Sequence, residues 1–373
     1  MILKKILLST FIALLLTSNL LHSEANASNV NNKNPEKDVT VLADSEQYYY
    51  TDVSESYWAA DSIKYLVDKG YMQVYKDGSF KPNRNTTRGE AAYVIAKMMG
   101  ISLESTFKLK AKDVPTTHPY YKEIRKLAEL GVIQNNEYFN PTEPLKRSHI
   151  SKMIALAFGI AVDNVNKTSF TDYSKNYWAK NYIESLADVE IINGTTSTSF
   201  SPNQYVSRAH LAGLTVRGME FRNKINRLEV AYDYLSKDYI STINSYTNWT
   251  NEVIKLVNEE RKKAGLSSLN QDASLNQLAI IKAQDMINRN YFEHNSPYYG
   301  QSWDMATLFD YDYTSFGENI ARNFQSPKEV MNAWMASDKH RSNILNENYT
   351  NIGIGIKPNE NGNFYWVQLF SSK

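Results

Sequence analysis

The chain has 373 residues, enough for two or three domains of ordinary size. Its 41 basic and 40 acidic residues leave a formal net charge of +1, which argues against a broad nucleic-acid-binding surface and against a highly charged disordered tail. Cysteine is absent, which excludes disulfides, thiolate metal sites and a cysteine nucleophile.

Residues 1–27 read as a secretory signal. Lys4 and Lys5 precede an apolar run from Ile6 to Leu16, and Ala25-Asn26-Ala27 offers a small-residue cleavage site. The run is shorter than the roughly 20 apolar residues a spanning helix needs, and nothing later in the chain is longer. The expected mature protein is therefore exported, with no transmembrane segment. Residues 28–47 are polar and rich in Asn and Asp, and read as a flexible leader.

Residues 48–220 repeat three times, over 48–100, 107–160 and 168–220. Each copy opens on an Asp (Asp52, Asp113, Asp172), followed eleven residues later by Ile63, Ile124 or Ile183. A Phe-x-Pro follows (Phe80 to Pro82, Phe139 to Pro141, Phe200 to Pro202), then an Arg six residues after the Pro (Arg88, Arg147, Arg208). Apolar spacing predicts helix, loop, helix in each copy, with Gly70 ending the first helix and Thr87 with Glu90 forming a capping box on the second. One helix pair buries little, so the three copies should pack together.

Each Arg then stands at the first position of a helix, where a cation opposes the helix dipole. An anion there would be held by the guanidinium and by free backbone N–H groups. The other reading pairs each Arg with an Asp of the repeat. Asp52-Val53, Trp58, Gly70, Asp77-Gly78-Ser79-Phe80, Pro82 and Thr87-Arg88-Gly89-Glu90 resemble a surface-layer homology repeat. The resemblance implies a pseudo-threefold helical domain that binds pyruvylated secondary cell-wall polysaccharide of Gram-positive bacteria. It points to Asp52, Trp58, Arg88, Asp113, Arg147, Asp172, Trp178 and Arg208 as glycan contacts. Repeat 2 departs from it, with Pro119 in the Trp position and Lys146-Arg147-Ser148-His149 as its arginine motif; in repeat 3 Glu190 replaces the helix-ending Gly.

Leu228, Tyr232, Leu235 and Tyr239 recur at helical spacing, so residues 221–243 are expected to form an amphipathic connector helix. Residues 244–373 read as a second domain. Helices are predicted over 250–264 and 274–290, and from Ser326-Pro327 to about Ser337, with strands over 351–356 and 364–370. Helices mixed with a few strands predict an α+β or α/β/α layered fold.

His294 and His340, with Glu318 and Asp338, form a set that could hold a divalent metal or transfer protons. Loop residues scattered by chance remain the other reading. The strings Phe292-Glu293-His294-Asn295-Ser296-Pro297, Gly317-Glu318-Asn319-Ile320-Ala321, Ser337-Asp338-Lys339-His340-Arg341-Ser342-Asn343 and Asn351-Ile352-Gly353-Ile354-Gly355 closely resemble the bacterial branch of the CAP superfamily. The resemblance implies an α/β/α sandwich whose cleft tetrad is His294, Glu318, Asp338 and His340, and leaves room for a divalent metal such as zinc. Asn319 and Arg341 could line that cleft, and Ser296 and Ser337 lie near it without a nucleophile-elbow sequence. Whether this domain is an enzyme stays open. The leading expectation is a wall-anchored surface protein displaying a CAP domain whose ligand is unknown. The alternatives are a metal-dependent hydrolase tethered at the wall and a non-enzymatic adhesive protein.

Overall fold

The computed structural model describes residues 48–373, so the expected signal peptide (1–27) and leader (28–47) lie outside the described residues. The chain divides into two compact units at Met219–Glu220. The first is helical and pseudo-threefold, the second a layered α/β/α unit, so the whole is α+β. Among the described residues no helix is long and apolar enough to cross a membrane.

The first unit opens on a short antiparallel pair, β1 (Tyr48–Tyr50) and β2 (Val53–Ser54). Three helix pairs follow: α1 (Ala60–Asp68) with α2 (Arg88–Met99), α3 (Tyr121–Glu129) with α4 (Arg147–Ala157), and α5 (Lys180–Asp188) with α6 (Arg208–Asn226). The repeated Ile63, Ile124 and Ile183 are fully buried, and Phe80, Phe139 and Phe200 join the core. The residue inside each Phe-x-Pro is left-handed: Lys81, Asn140 and Ser201 have φ of 57°, 56° and 57°. That conformation costs an L residue about 1–2 kcal/mol. The repeated Asp holds it, one oxygen accepting from the Phe N–H and the other from the next N–H. The distances are 2.7 and 2.8 Å at Asp52, 2.9 and 2.6 Å at Asp113, and 2.9 and 2.6 Å at Asp172.

The repeats close into a ring through their loops. Thr86 N–H donates to the Val206 carbonyl, Val206 N–H to Leu145, and Leu145 N–H back to Thr86, at 2.8, 2.8 and 2.9 Å. The first N–H of each second helix is also met from another repeat: Arg88 by Glu143, Arg147 by Gln204 and Arg208 by Arg84, each at 2.9 Å. The next N–H goes to Pro141, Pro202 and Pro82 respectively. The expected capping box at Thr87 and Glu90 is formed. Glu190 adopts a φ of 59° where Gly70 and Gly131 have 70° and 73°, so the helix-ending turn survives the loss of its glycine.

The connector differs from expectation. Helix α6 stops at Asn226, and a hairpin follows, β3 (Val230–Asp233) with β4 (Asp238–Ser241). The helical spacing of Leu228, Tyr232, Leu235 and Tyr239 coincides with a segment dense in β-branched and aromatic residues, which favour strands. Tyr232 pairs with Tyr239 across the hairpin, their rings 5.1 Å apart. Ala231 and Ile240 enter the same core as Leu275 and Leu278, so the second unit begins well before residue 244.

Its remaining elements are α7 (Thr247–Lys263), β5 (Asn270–Gln271), α8 (Ala273–Asn288), α9 (Ser302–Leu308), β6 (Ser315–Arg322), α10 (Pro327–Ala336), α11 (Asp338–Ile344), β7 (Asn351–Pro358) and β8 (Phe364–Ser372). The sheet order is β5-β7-β8-β6, antiparallel except for the β5–β7 pair. Helix α8 packs on one face over Val367 and Leu369. Helices α7 and α10 cover the other, over Ile352, Ile354, Ile356 and Trp366. The alternation of Ile and Gly in β7 follows: isoleucines face α7 and α10, while Gly353 and Gly355 let α8 approach the strand backbone.

An added Cβ at Gly355 would stand 2.1 Å from the Ala279 carbonyl carbon. Gly355→Ala is expected to destabilise this unit by about 3 kcal/mol or more. Urea unfolding followed by tryptophan fluorescence reads this out; an unchanged midpoint would mean α8 can move away at little cost.

Candidate functional site

The three arginines form no ion pair among the described residues. Each guanidinium instead lies over the Phe ring of another repeat: Arg88 over Phe139, Arg147 over Phe200 and Arg208 over Phe80, at 4.8, 4.4 and 4.3 Å. Each Nε donates to the carbonyl of that same Phe, at 2.8, 2.9 and 2.8 Å. Arg147 and Arg208 also donate from Nη2, to the carbonyls of Asn193 and Gln73 at 2.7 Å. Burial draws all three guanidinium groups below their usual pKa, and the charges of Glu143 and Asp113 partly offset this at Arg88.

Two sequence expectations change here. The N–H groups at the starts of α2, α4 and α6 are not free for an anion, because carbonyls of other repeats take them. Asp52, Asp113 and Asp172 neither pair with the arginines nor present idle carboxylates, because both oxygens of each grip the Phe-x-Pro loop. What remains for a ligand is the outer edge of the guanidinium groups, with half-exposed aromatic rings beside them. Trp58 lies 5.1 Å from the His210 ring and Trp178 lies 5.2 Å from the His149 ring. In the position left by Pro119, Tyr120 supplies the ring facing α2, against Tyr93 at 5.5 Å.

One groove is open. Arg88, Gln134, Tyr138, His149, Lys152 and Trp178 are among the residues lining a hollow of about 380 Å³. The sequence reading passed over Tyr138, His149 and Lys152. Superposing the repeats on their arginines would have drawn out Lys152, whose counterparts are Tyr93 and Gly213.

In the second unit, His294 sits in the loop after α8, Glu318 on β6, and Asp338 and His340 on α11. His294 Nδ1 and Glu318 Oε1 are 2.7 Å apart. The Glu318 side chain is almost fully buried and its Oε2 has no partner among the described residues, while half of the His294 side chain is exposed. His340 is close enough for its pKa to be lowered, mainly by burial and also by His294. Asp338 stands apart, 90% exposed and paired with Arg341. The four side chains thus do not converge on a metal, and among the described residues no three His, Asp or Glu do so.

Buried Lys282 holds the His294 loop, donating to the carbonyls of Glu293 and His294 at 3.0 and 2.9 Å. Asn319 is fully buried and ties strands to helix: its Nδ2 donates to the His340 carbonyl and to Gln368 Oε1 at 3.0 and 2.9 Å. Arg341 holds the Met335 carbonyl as well as Asp338. Ser296 is buried against Asp285 at 2.7 Å, so its hydroxyl is committed to structure. Ser337 ends α10 and begins α11, with no side-chain cap bond.

The S-layer homology domain model matches residues 49–92, 112–150 and 169–212, and the model of CAP, the cysteine-rich secretory protein family, matches 254–370. The chain carries three S-layer homology repeats and a CAP domain. Its CAP region is 44% identical over 133 residues to the uncharacterized protein YkwD of Bacillus subtilis, a match covering 36% of this chain and 51% of that protein. Its repeat region is 28% identical over 167 residues to the S-layer protein EA1 of Bacillus anthracis, covering 44% of this chain and 19% of that one. The chain therefore spans about half the length of the first relative and a fifth of the second. An extracellular protein containing an SCP domain from Bacillus anthracis, of known structure, is 27% identical, with a TM-score of 0.32, over 36% of this chain and 46% of that chain. The CAP match begins after the β3–β4 hairpin, although the hairpin shares the core of that domain.

The cations around the S-layer homology groove have a measurable consequence. Burial, then Arg88, Lys146 and Lys152, lower the pKa of His149 from 6.5 to about 4. In the unfolded chain the imidazole takes a proton at its ordinary pKa, so between those two values the unfolded state binds more protons. This contribution lowers stability as pH falls from about 6.5 to about 4. In urea unfolding at pH 7 and pH 4.5, His149→Gln is expected to lose less stability on acidification than the wild type. Equal losses would show that His149 protonates freely in the folded state.

Proposed function

We propose that this is an exported cell-surface protein. Its S-layer homology repeats hold it non-covalently to acidic secondary cell-wall polysaccharide, and its CAP domain is displayed outside the cell. The observation that carries the reading is the Arg88 groove: a guanidinium with N–H groups to spare, beside a half-exposed tryptophan. A carboxylate-bearing sugar suits that combination, since Arg favours planar anions and indole faces favour sugar rings. The likeness of the repeats to S-layer proteins and the expected signal peptide support a location at the surface. A pyruvate ketal on the polysaccharide of a Gram-positive wall would supply the carboxylate.

For the CAP domain we infer a ligand-binding cleft centred on His294 and Glu318. A carboxylate orienting an imidazole is a proton-transfer arrangement. Among the described residues, neither a prepared nucleophile nor a converging set of three metal ligands accompanies it. These features favour recognition of a ligand with an exposed hydrogen-bonding group over metal-dependent hydrolysis.

Residues 28–373 should co-sediment with purified walls of a pyruvylated strain. Removing the pyruvate should lower the bound fraction about tenfold or more, the scale of one lost charge-assisted contact. Unchanged sedimentation with peptidoglycan stripped of its polysaccharide would reject the anchoring role.

A further inference from the structure

The three grooves share a backbone plan and differ in charge. Two residues after the repeated Arg stand Glu90, His149 and His210; five residues after it stand Tyr93, Lys152 and Gly213. Glu90 places a carboxylate on the first of these helices, where it pairs with Arg84 and accepts the Thr87 N–H. His210 Nδ1 is met by the Ser207 hydroxyl at 2.8 Å. His149 Nδ1 is buried with no partner among the described residues. The corresponding cap residue is Lys146, which offers only donors.

Helix α4 thus begins on two cations, Lys146 and Arg147, with no side-chain cap and no acidic residue in its first turn. Lys152 adds a further cation on the same helix, lining the same hollow as His149 and Arg88. Arg88 is also the least committed of the three arginines, with one backbone acceptor among the described residues where Arg147 and Arg208 each have two. The carboxylates acting on Arg88 are Glu143 and Asp113, and both oxygens of Asp113 are already held by backbone N–H groups.

We propose that the Arg88 groove is the dominant acidic-sugar site of the three, and that Lys152 sets its preference for a carboxylate-bearing sugar over a neutral one. This rests on the glycan-binding reading above and goes further, by ranking the grooves and naming the residue that ranks them. The ligand is a hexose or hexosamine carrying a carboxylate, supplied by a pyruvate ketal or by a uronic acid.

Calorimetry on residues 28–373 tests it with three probes: a methyl hexosaminide bearing a 4,6-pyruvate ketal, methyl glucuronide, and the neutral methyl hexosaminide. Lys152→Gln should weaken the tightest acidic-sugar site by about fivefold to tenfold and leave neutral-sugar binding unaltered. Lys122→Gln, on exposed α3 surface, should change nothing. Trp178→Ala should abolish the tightest site and Trp58→Ala should retain it; both rings are about half exposed, so neither change empties the core. Whichever acidic probe binds tighter identifies the source of the carboxylate. Wild-type affinity in Lys152→Gln, or loss of the tightest site in Trp58→Ala, overturns the ranking alone. Failure of the wild type to bind either acidic probe overturns the glycan-binding reading and this inference with it.

Discussion

The first unit depends on an exchange of backbone hydrogen bonds between repeats. A helix begins with N–H groups that its own carbonyls cannot reach. Here the first two of each second helix are met by the loop of another repeat, and the three loops bond one another in a closed cycle. Two repeats would leave one helix start and one loop unmatched, each buried polar group then costing about 1–3 kcal/mol. Three repeats leave none. The arginine finishes each junction by covering a Phe ring and bonding its carbonyl. It is therefore a structural residue first, and any ligand must use the N–H groups left over.

That constraint makes small departures among the repeats informative. Where a junction keeps its geometry, a change of residue is compensated nearby. Tyr120 stands at the position of Ala59 and Ala179, and the helix residue facing it is Gly89, where the other repeats have Ser148 and Ala209. A Cβ at Gly89 would meet the Tyr120 ring at 2.9 Å. The ring and the glycine are one paired change that preserves packing. The cations of α4 meet neutral groups and form no ion pair among the described residues: Lys146 donates to Asn203 Oδ1, Arg147 to the carbonyls of Phe200 and Asn193, and Lys152 lies over the Tyr182 ring. A region whose charges remain unbalanced within the chain is a region shaped for something outside it.

The repeat period was legible because its backbone conformation demands particular side chains. A left-handed residue between Phe and Pro needs a carboxylate to hold it, and a carbonyl at the next junction needs the Arg. The acceptors were not legible, since a backbone carbonyl carries no residue identity; the sequence left the arginines between an anion site and an Asp pair, and in place of the Asp pair each guanidinium gives its Nε–H to a Phe carbonyl. The hairpin was hidden because Tyr232 and Tyr239 of its two short strands fell at helical spacing with Leu228 before it and Leu235 in its turn. Strand β6 carries Glu318 yet shows no clean alternation, because both of its faces are buried. In the second unit the histidines, Glu318 and Asp338 were grouped through the same family resemblance, with Asp338 standing where the family usually has Glu. At the first position of α11, its side chain pairs with Arg341 instead.

The placement of His294 follows from burying charge behind it. Lys282 and Asp285 lie one turn apart on α8, both within the core. Buried charges persist only when paired and hydrogen-bonded. Lys282 is satisfied by Tyr291 and by the carbonyls of Glu293 and His294, and Asp285 by Tyr291, Ser296 and Arg289. All of these partners except Arg289 belong to the loop that presents His294, so the two buried charges fix that loop from below. Arg289 passes the demand on, pairing with Asp233 at 2.5 Å. Asp233 is fully buried and belongs to the β3–β4 hairpin, outside the stretch that matches the CAP family. The imidazole that meets Glu318 is therefore held by a polar network whose last member the family pattern does not include. The hairpin is part of what positions the cleft.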